Sequence, residues 1–150
     1  MEVQNDFKEL LELFNVHHVE YVIVGGYALA FHGAPRFTGD LDIYVRPDPE
    51  NAARIMEALS NFGFGDVGIH NVDFEETGKV IQLGVPPVRI DIVTSLTGIT
   101  WEDVSSDRVA GVYGSVPVHY IGRDPFVRNK KALARYKDLA DLEALGEKTY

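Results

Sequence analysis

The chain contains no cysteine, which excludes disulfides, thiolate nucleophiles and thiolate zinc sites. Basic residues are scarce: 14 lysines and arginines stand against 23 aspartates and glutamates, a formal charge of −9. A surface of that average sign disfavours nucleic acid as a partner, because non-specific affinity for it comes from neutralised phosphates. No apolar run approaches the roughly 20 residues that a membrane-crossing helix needs. The N-terminal run Met1-Glu2-Val3-Gln4-Asn5-Asp6 has neither the basic nor the apolar region of a secretory leader. These absences lead to the expectation of a cytoplasmic protein with no membrane partner. Internal repeats, low-complexity segments and linkers are also missing, so residues 1–150 read as one domain, long enough to bury a real core.

What is present is a patterned α+β chain. Phe7, Leu10, Leu11 and Phe14 recur at i, i+3, i+4 and i+7, the stripe of an amphipathic helix. Tyr21-Val22-Ile23-Val24 reads as a buried strand ending at Gly25-Gly26, and Tyr27 to His32 as a short helix closed by Gly33 and Pro35. Leu41 to Val45 is a second strand. Asp48 and Pro49 form an N-cap and first turn for a helix with Ala52, Ile55, Met56 and Leu59 on one side, stopping near Gly63. Val67 to Asn71 reads as a strand, with Asp73, Glu75 and Glu76 in a solvated acidic loop. Lys79 to Val85 and Val88 to Val93 are two strands turning at Pro86-Pro87. Trp101 to Asp107 is a short helix, and Val109 to Tyr113 pairs with Val116 to Ile121 about Gly114-Ser115. Asp124 caps a helix running through Ala134, and Lys137 to Leu145 is the last helix.

The most informative stretch is Arg36-Phe37-Thr38-Gly39-Asp40-Leu41-Asp42-Ile43. On a strand, residues i and i+2 share a face, so Asp40 and Asp42 project together while Leu41 and Ile43 turn into the core. Asp91 lies in the apolar run Val88-Arg89-Ile90-Asp91-Ile92-Val93, where an unpaired buried charge is costly. If the strands are neighbours, three carboxylates gather. Such a cluster repels itself unless cations fill it, and hard oxygen donors suit Mg²⁺. Gly25-Gly26 sits where backbone can approach a ligand and a helix start offers free N–H groups for phosphate oxygens. By itself the pair is equally well a tight turn; it belongs to neither the P-loop nor the dinucleotide pattern. Arg128, Lys130, Lys131, Arg135 and Lys137 concentrate positive charge near the C-terminus. They suit a compact anion such as a triphosphate, or pair along a solvated helix face with Asp138, Asp141 and Glu143.

Together, Gly25-Gly26, then Arg36, Thr38, Asp40-Leu41-Asp42-Ile43, then Asp91 in a later strand resemble the nucleotidyltransferase superfamily related to DNA polymerase β. Within it the chain looks most like minimal bacterial and archaeal members with Gly-Gly in the first motif, several of which act in toxin–antitoxin pairs. Asn129, Lys130, Arg135, Lys137, Asp138, Leu139, Asp141 and Leu142 are similar to the C-terminal segment of those proteins, and the resemblance spans about residues 19–145. It implies a mixed sheet packed by helices and transfer of a nucleoside monophosphate from an NTP such as ATP to a hydroxyl acceptor, releasing pyrophosphate. The acceptor would be a protein, a small molecule or RNA. By the same resemblance Asp40, Asp42 and Asp91 hold two Mg²⁺ ions, with Mn²⁺ as an alternative, and Gly25, Gly26, Thr38 and Arg36 cradle the nucleotide phosphates. Lys130, Arg135 and Lys137 take the triphosphate tail.

The chain departs from the family in two ways. Gly26 stands where serine is common, and no further helical domain follows, so a second subunit or a cognate partner protein is expected to complete the site. Competing readings are a non-catalytic nucleotide- or partner-binding protein of the same fold and a two-metal nuclease, which leaves Gly25-Gly26 unexplained. His17-His18, His32, His70, His119, Trp101, Tyr44 and Tyr136 read as packing, capping or surface residues.

Overall fold

The structure is a computed structural model that describes residues 3–35, 38–63 and 68–149. Its elements are α1 (Asn5–Val16), β1 (Tyr21–Val24), α2 (Gly25–Phe31), β2 (Asp40–Val45), α3 (Pro49–Phe62), α4 (Val72–Glu75), β3 (Val80–Val85) and β4 (Val88–Val93). There follow α5 (Trp101–Asp107), β5 (Val109–Tyr113), β6 (Val116–Tyr120), α6 (Arg123–Leu133) and α7 (Tyr136–Ala144). The strands form one sheet in the order β3-β4-β2-β1-β6-β5. It is mixed: β1 runs antiparallel to β2 and parallel to β6, while β2 and β4 are parallel.

Each local reason is visible in the residues. The α1 stripe Phe7, Leu10, Leu11 and Phe14 is completely buried. Asp48 caps α3 by accepting a hydrogen bond from the Asn51 N–H at 2.7 Å, with Pro49 in the first turn and Gly63 closing the helix in a left-handed conformation. Thr100 and Asp103 form a reciprocal capping box at the start of α5. A buried amide ties α3 to the sheet. Asn51 Oδ1 accepts from the Glu20 N–H at 2.8 Å, and its Nδ2 donates to the carbonyls of Glu20 and Arg46.

The core gathers Tyr21, Val22, Ile23, Leu41, Ile43, Val45, Ile90 and Ile92 from β1, β2 and β4. Among the described residues no helix is long and apolar enough to cross a membrane.

Three expectations change. Of the proposed strand Val67 to Asn71, Val67 lies outside the described residues and the remainder is not extended into a strand. The acidic stretch after it is partly the short helix α4, because Phe74 drives it against the core and is wholly buried. Asp124 does not cap α6: Gly122 is the N-cap without a side-chain bond, and Asp124 lies in the first turn, where its charge favours the helix dipole.

Candidate nucleotide and metal site

β2 is the element that makes the site. Its burial alternates so that Asp40 and Asp42 stay partly exposed while Leu41 and Ile43 are buried. In the parallel ladder, Asp42 stands opposite Asp91 and Asp40 opposite Arg89. Paired residues point to the same side of a sheet, so the three carboxylates share one face. On the other side of β2, Asp42 registers with Val24, the last residue of β1.

The chain passes from β1 to α2 without a loop, through Gly25 at φ +67°. A Cβ at Gly25 would lie 2.9 Å from Asp42 Cγ, so backbone and carboxylate touch where a side chain would intrude. At Gly26 a Cβ would come within 2.7 Å of Thr38 Cβ, and Thr38 Oγ1 donates to the Asp40 carbonyl at 3.1 Å. The start of α2 has no side-chain cap. Its first N–H groups are therefore not taken by a side chain of the helix's own cap.

These groups open onto a cavity of about 370 Å³. Gly25, Gly26, Thr38, Asp40 and Asp42 line one side; Lys130, Arg135 and Lys137 line another; Leu96, Phe126 and Leu133 supply apolar wall. Sequence reading brought together eight of these residues, named Asn129 in the C-terminal segment without giving it a place in the site, and missed the apolar wall. The signal was there: Phe126, Asn129, Lys130 and Leu133 repeat at i, i+3, i+4 and i+7, the face α6 turns to the cavity. Arg36 lies outside the described residues.

The electrostatics divide the site. Asp42 is pushed up to about 6, first by burial and then by the charges of Asp91 and Asp40, against the pull of Lys130 and Lys137. Asp91 is buried and its carboxylate is held by Arg89, Nε to Oδ1 and Nη2 to Oδ2, both 3.1 Å. Arg89 also lies 4.0 Å from Asp40 Oδ2. Among the described residues no three acidic or imidazole groups are spaced to hold a metal ion.

The cationic segment is mixed: Arg128, Lys131, Arg135 and Lys137 are exposed and the pairing with Asp138 and Asp141 is present, but it is built around a buried lysine. Lys130 is buried and lies 3.2 Å from both Asp138 Oδ1 and Asp141 Oδ2, beneath the Phe126 ring. Arg135 grips Asp138 through Nε at 2.6 Å and Nη2 at 3.2 Å. Burial alone would raise the Asp138 carboxyl, but hydrogen bonds from Arg135 and Lys130 hold it below the usual carboxylate range. Lys137 is exposed at the cavity rim.

Trp101, Tyr44 and His32 are tied into the fold, whereas Tyr136 is not. Trp101 packs edge-on against Tyr44 at 5.1 Å, His32 Nε2 is 2.7 Å from the Ile121 carbonyl oxygen, and Tyr136 is almost fully exposed. One run, Gly63 to Gly68, does spell the dinucleotide pattern, but Gly63 ends α3 instead of following a strand, so the context that binds a pyrophosphate is missing.

No family model matches the chain, and no curated protein matches it in sequence. Solved structures do match in shape. A protein from Thermotoga maritima, described provisionally as a nucleotidyltransferase, superposes with a TM-score of 0.62 at 16% identity over 91% of this chain and 88% of its own. The lincosamide antibiotic adenylyltransferase LnuA, bound to lincomycin, gives 0.56 at 13% identity over 97% of this chain and 98% of its own. The antibiotic-resistance factor ANT(2″)-Ia gives 0.60 at 12% identity over 93% and 80%. The chain has a nucleotidyltransferase fold. In that nucleotidyltransferase fold the glycine turn between β1 and α2 lies against the Asp-x-Asp pair of β2, and both line one cavity.

Proposed function

We propose that the protein is a metal-dependent nucleotidyltransferase that moves a nucleoside monophosphate from an NTP to a hydroxyl acceptor and releases pyrophosphate. One observation carries the reading. Asp40 and Asp42 share a face with Asp91 in register beside them, against a two-glycine turn packed so closely on Asp42 and Thr38 that only glycine fits. The donor set fits a hard divalent cation: all oxygen, one carboxylate raised by burial and by its neighbours' charge, and a cationic group already drawn to the other two. Asp40, Asp42 and, once released by Arg89, Asp91 would hold Mg²⁺ or Mn²⁺. Bound there, such ions supply charge neutralisation at phosphorus and lower the pKa of an attacking hydroxyl.

The chain's own groups do the rest. Gly25 and Gly26 let backbone approach the phosphates, and Thr38 closes that cradle. Lys137 and the outer side of Arg135 face the same cavity and suit the departing pyrophosphate. The acceptor oxygen attacks the α-phosphorus as the bond to the bridging oxygen breaks, so positioning and charge account for most of the rate. Adenylyl transfer to a small hydroxylated molecule, the activity in the name of LnuA, is one form this chemistry would take.

The test is to incubate the protein with each α-labelled NTP, Mg²⁺ or Mn²⁺ and pooled hydroxyl acceptors, and to assay pyrophosphate and labelled product. Activity in the wild type and none in a folded Asp42→Asn variant supports the reading. A non-catalytic nucleotide-binding protein is the second reading, favoured by the Arg89–Asp91 pair. Saturable NTP binding with no pyrophosphate under any acceptor would establish it.

A further inference from the structure

Arg89 was not among the residues that the sequence pattern singled out, yet it touches more of the carboxylate site than any cavity-lining cation. It lies two residues before Asp91 on β4 and directly across from Asp40 on β2, so its side chain rises on the face that bears the carboxylates. Both Asp91 oxygens are engaged by a fork of two N–H groups, the bidentate geometry that makes guanidinium–carboxylate pairs strong. The pair is one-third exposed on the arginine side and little exposed on the aspartate side. Asp40 is within 4.0 Å of the same guanidinium. Asp42 is the carboxylate for which no contact with Arg89 is seen, and Asp42 lines the cavity while Asp91 does not.

We propose that Arg89 is the resident counter-ion of this site, holding Asp91 until a divalent cation displaces it and thereby setting how tightly that cation binds. The inference rests on the metal-dependent reading above. A guanidinium bound through both oxygens blocks the lone pairs that a metal needs and adds a positive charge a few ångströms from it. Both effects oppose cation entry. An NTP carries polyphosphate charge that can accept the displaced guanidinium, so the cation and nucleotide should bind as a pair and the cation poorly alone. Arg89 is thus a positioning residue that acts through Asp91.

The experiment measures Mn²⁺ binding to the full chain without nucleotide, by electron paramagnetic resonance of free Mn²⁺, for the wild type, Arg89→Gln, Arg89→Lys and Asp42→Asn. Removing one charge at this range should tighten Mn²⁺ binding on the order of tenfold or more in Arg89→Gln, with Arg89→Lys between it and the wild type. A parallel melting series should show Arg89→Gln less stable than wild type in EDTA and recovering that deficit on adding Mn²⁺. A purely structural arginine would not give this recovery. Should Arg89→Gln fail to fold in EDTA, Arg89→Lys carries the comparison. Equal or weaker Mn²⁺ binding in the Arg89 variants, with binding abolished by Asp42→Asn, overturns the counter-ion role and leaves the metal site standing. No Mn²⁺ binding in any variant, even with NTP present, overturns both.

Discussion

Gly26 and Thr38 share one van der Waals envelope: a Cβ on the glycine would lie 2.7 Å from the threonine Cβ and 2.8 Å from its hydroxyl oxygen. This gives a physical reason for glycine where the resembling superfamily commonly has serine. Gly26→Ser should therefore destabilise the fold by about 1–3 kcal/mol, the usual cost of overpacking. Thr38→Gly in the same chain, which removes the clashing Cβ, should recover most of that loss. A double-mutant cycle by urea denaturation measures it, and additive losses would show that the two sites do not compete for space.

Asp42 carries a pH signature. Its folded-state pKa of about 6 lies above the ordinary 3.8, so the native state holds the proton more tightly than the unfolded chain. Stability from this group is then fullest below the ordinary value and falls as pH rises through about 6. Asp42→Asn removes the titration. Without divalent cations it should melt higher than the wild type at pH 8, by roughly 1–3 kcal/mol of stability, with the gap vanishing near pH 4. Calorimetry across that window checks both the sign and the span.

The buried triad of Lys130, Asp138 and Asp141 should be the most mutation-sensitive polar feature of the cavity wall. Asp138 is fully buried between Lys130 and Arg135. Replacing it with alanine leaves cations short of their partner and should cost about 3–5 kcal/mol. Arg135→Ala, at a half-exposed side chain, should cost about 1 kcal/mol or less. Comparable losses from the two would show that burial does not decide the cost.

Lys137 stands at the rim, exposed and lining the same cavity. Lys137→Ala should leave the melting temperature unchanged and raise the KM for NTP about tenfold, the cost of one charge-assisted phosphate contact. A change in kcat with KM constant would place it elsewhere in the reaction.

Much of this was legible in the residues because it is local. The stripe of α1, the Asp48-Pro49 start of α3, the turn at Pro86-Pro87 and the common face of Asp40 and Asp42 follow from periodicity and capping, which depend only on near neighbours in the chain. The α4 segment was misread because its acidic residues outweigh Phe74 in composition, whereas one buried ring decides where the segment goes.

Sequence alone determined which carboxylates could act together on β2 and that glycine backbone would lie near them. Only the tertiary structure decided that Asp91 stands beside Asp42, that Arg89 holds it, that Lys130 is buried, and that Gly26 has no room for a side chain. The physical reason is range. Helical and strand periods are set within a few residues, while strand order and cross-strand register depend on packing between segments far apart in the chain, and charge partners depend on that register.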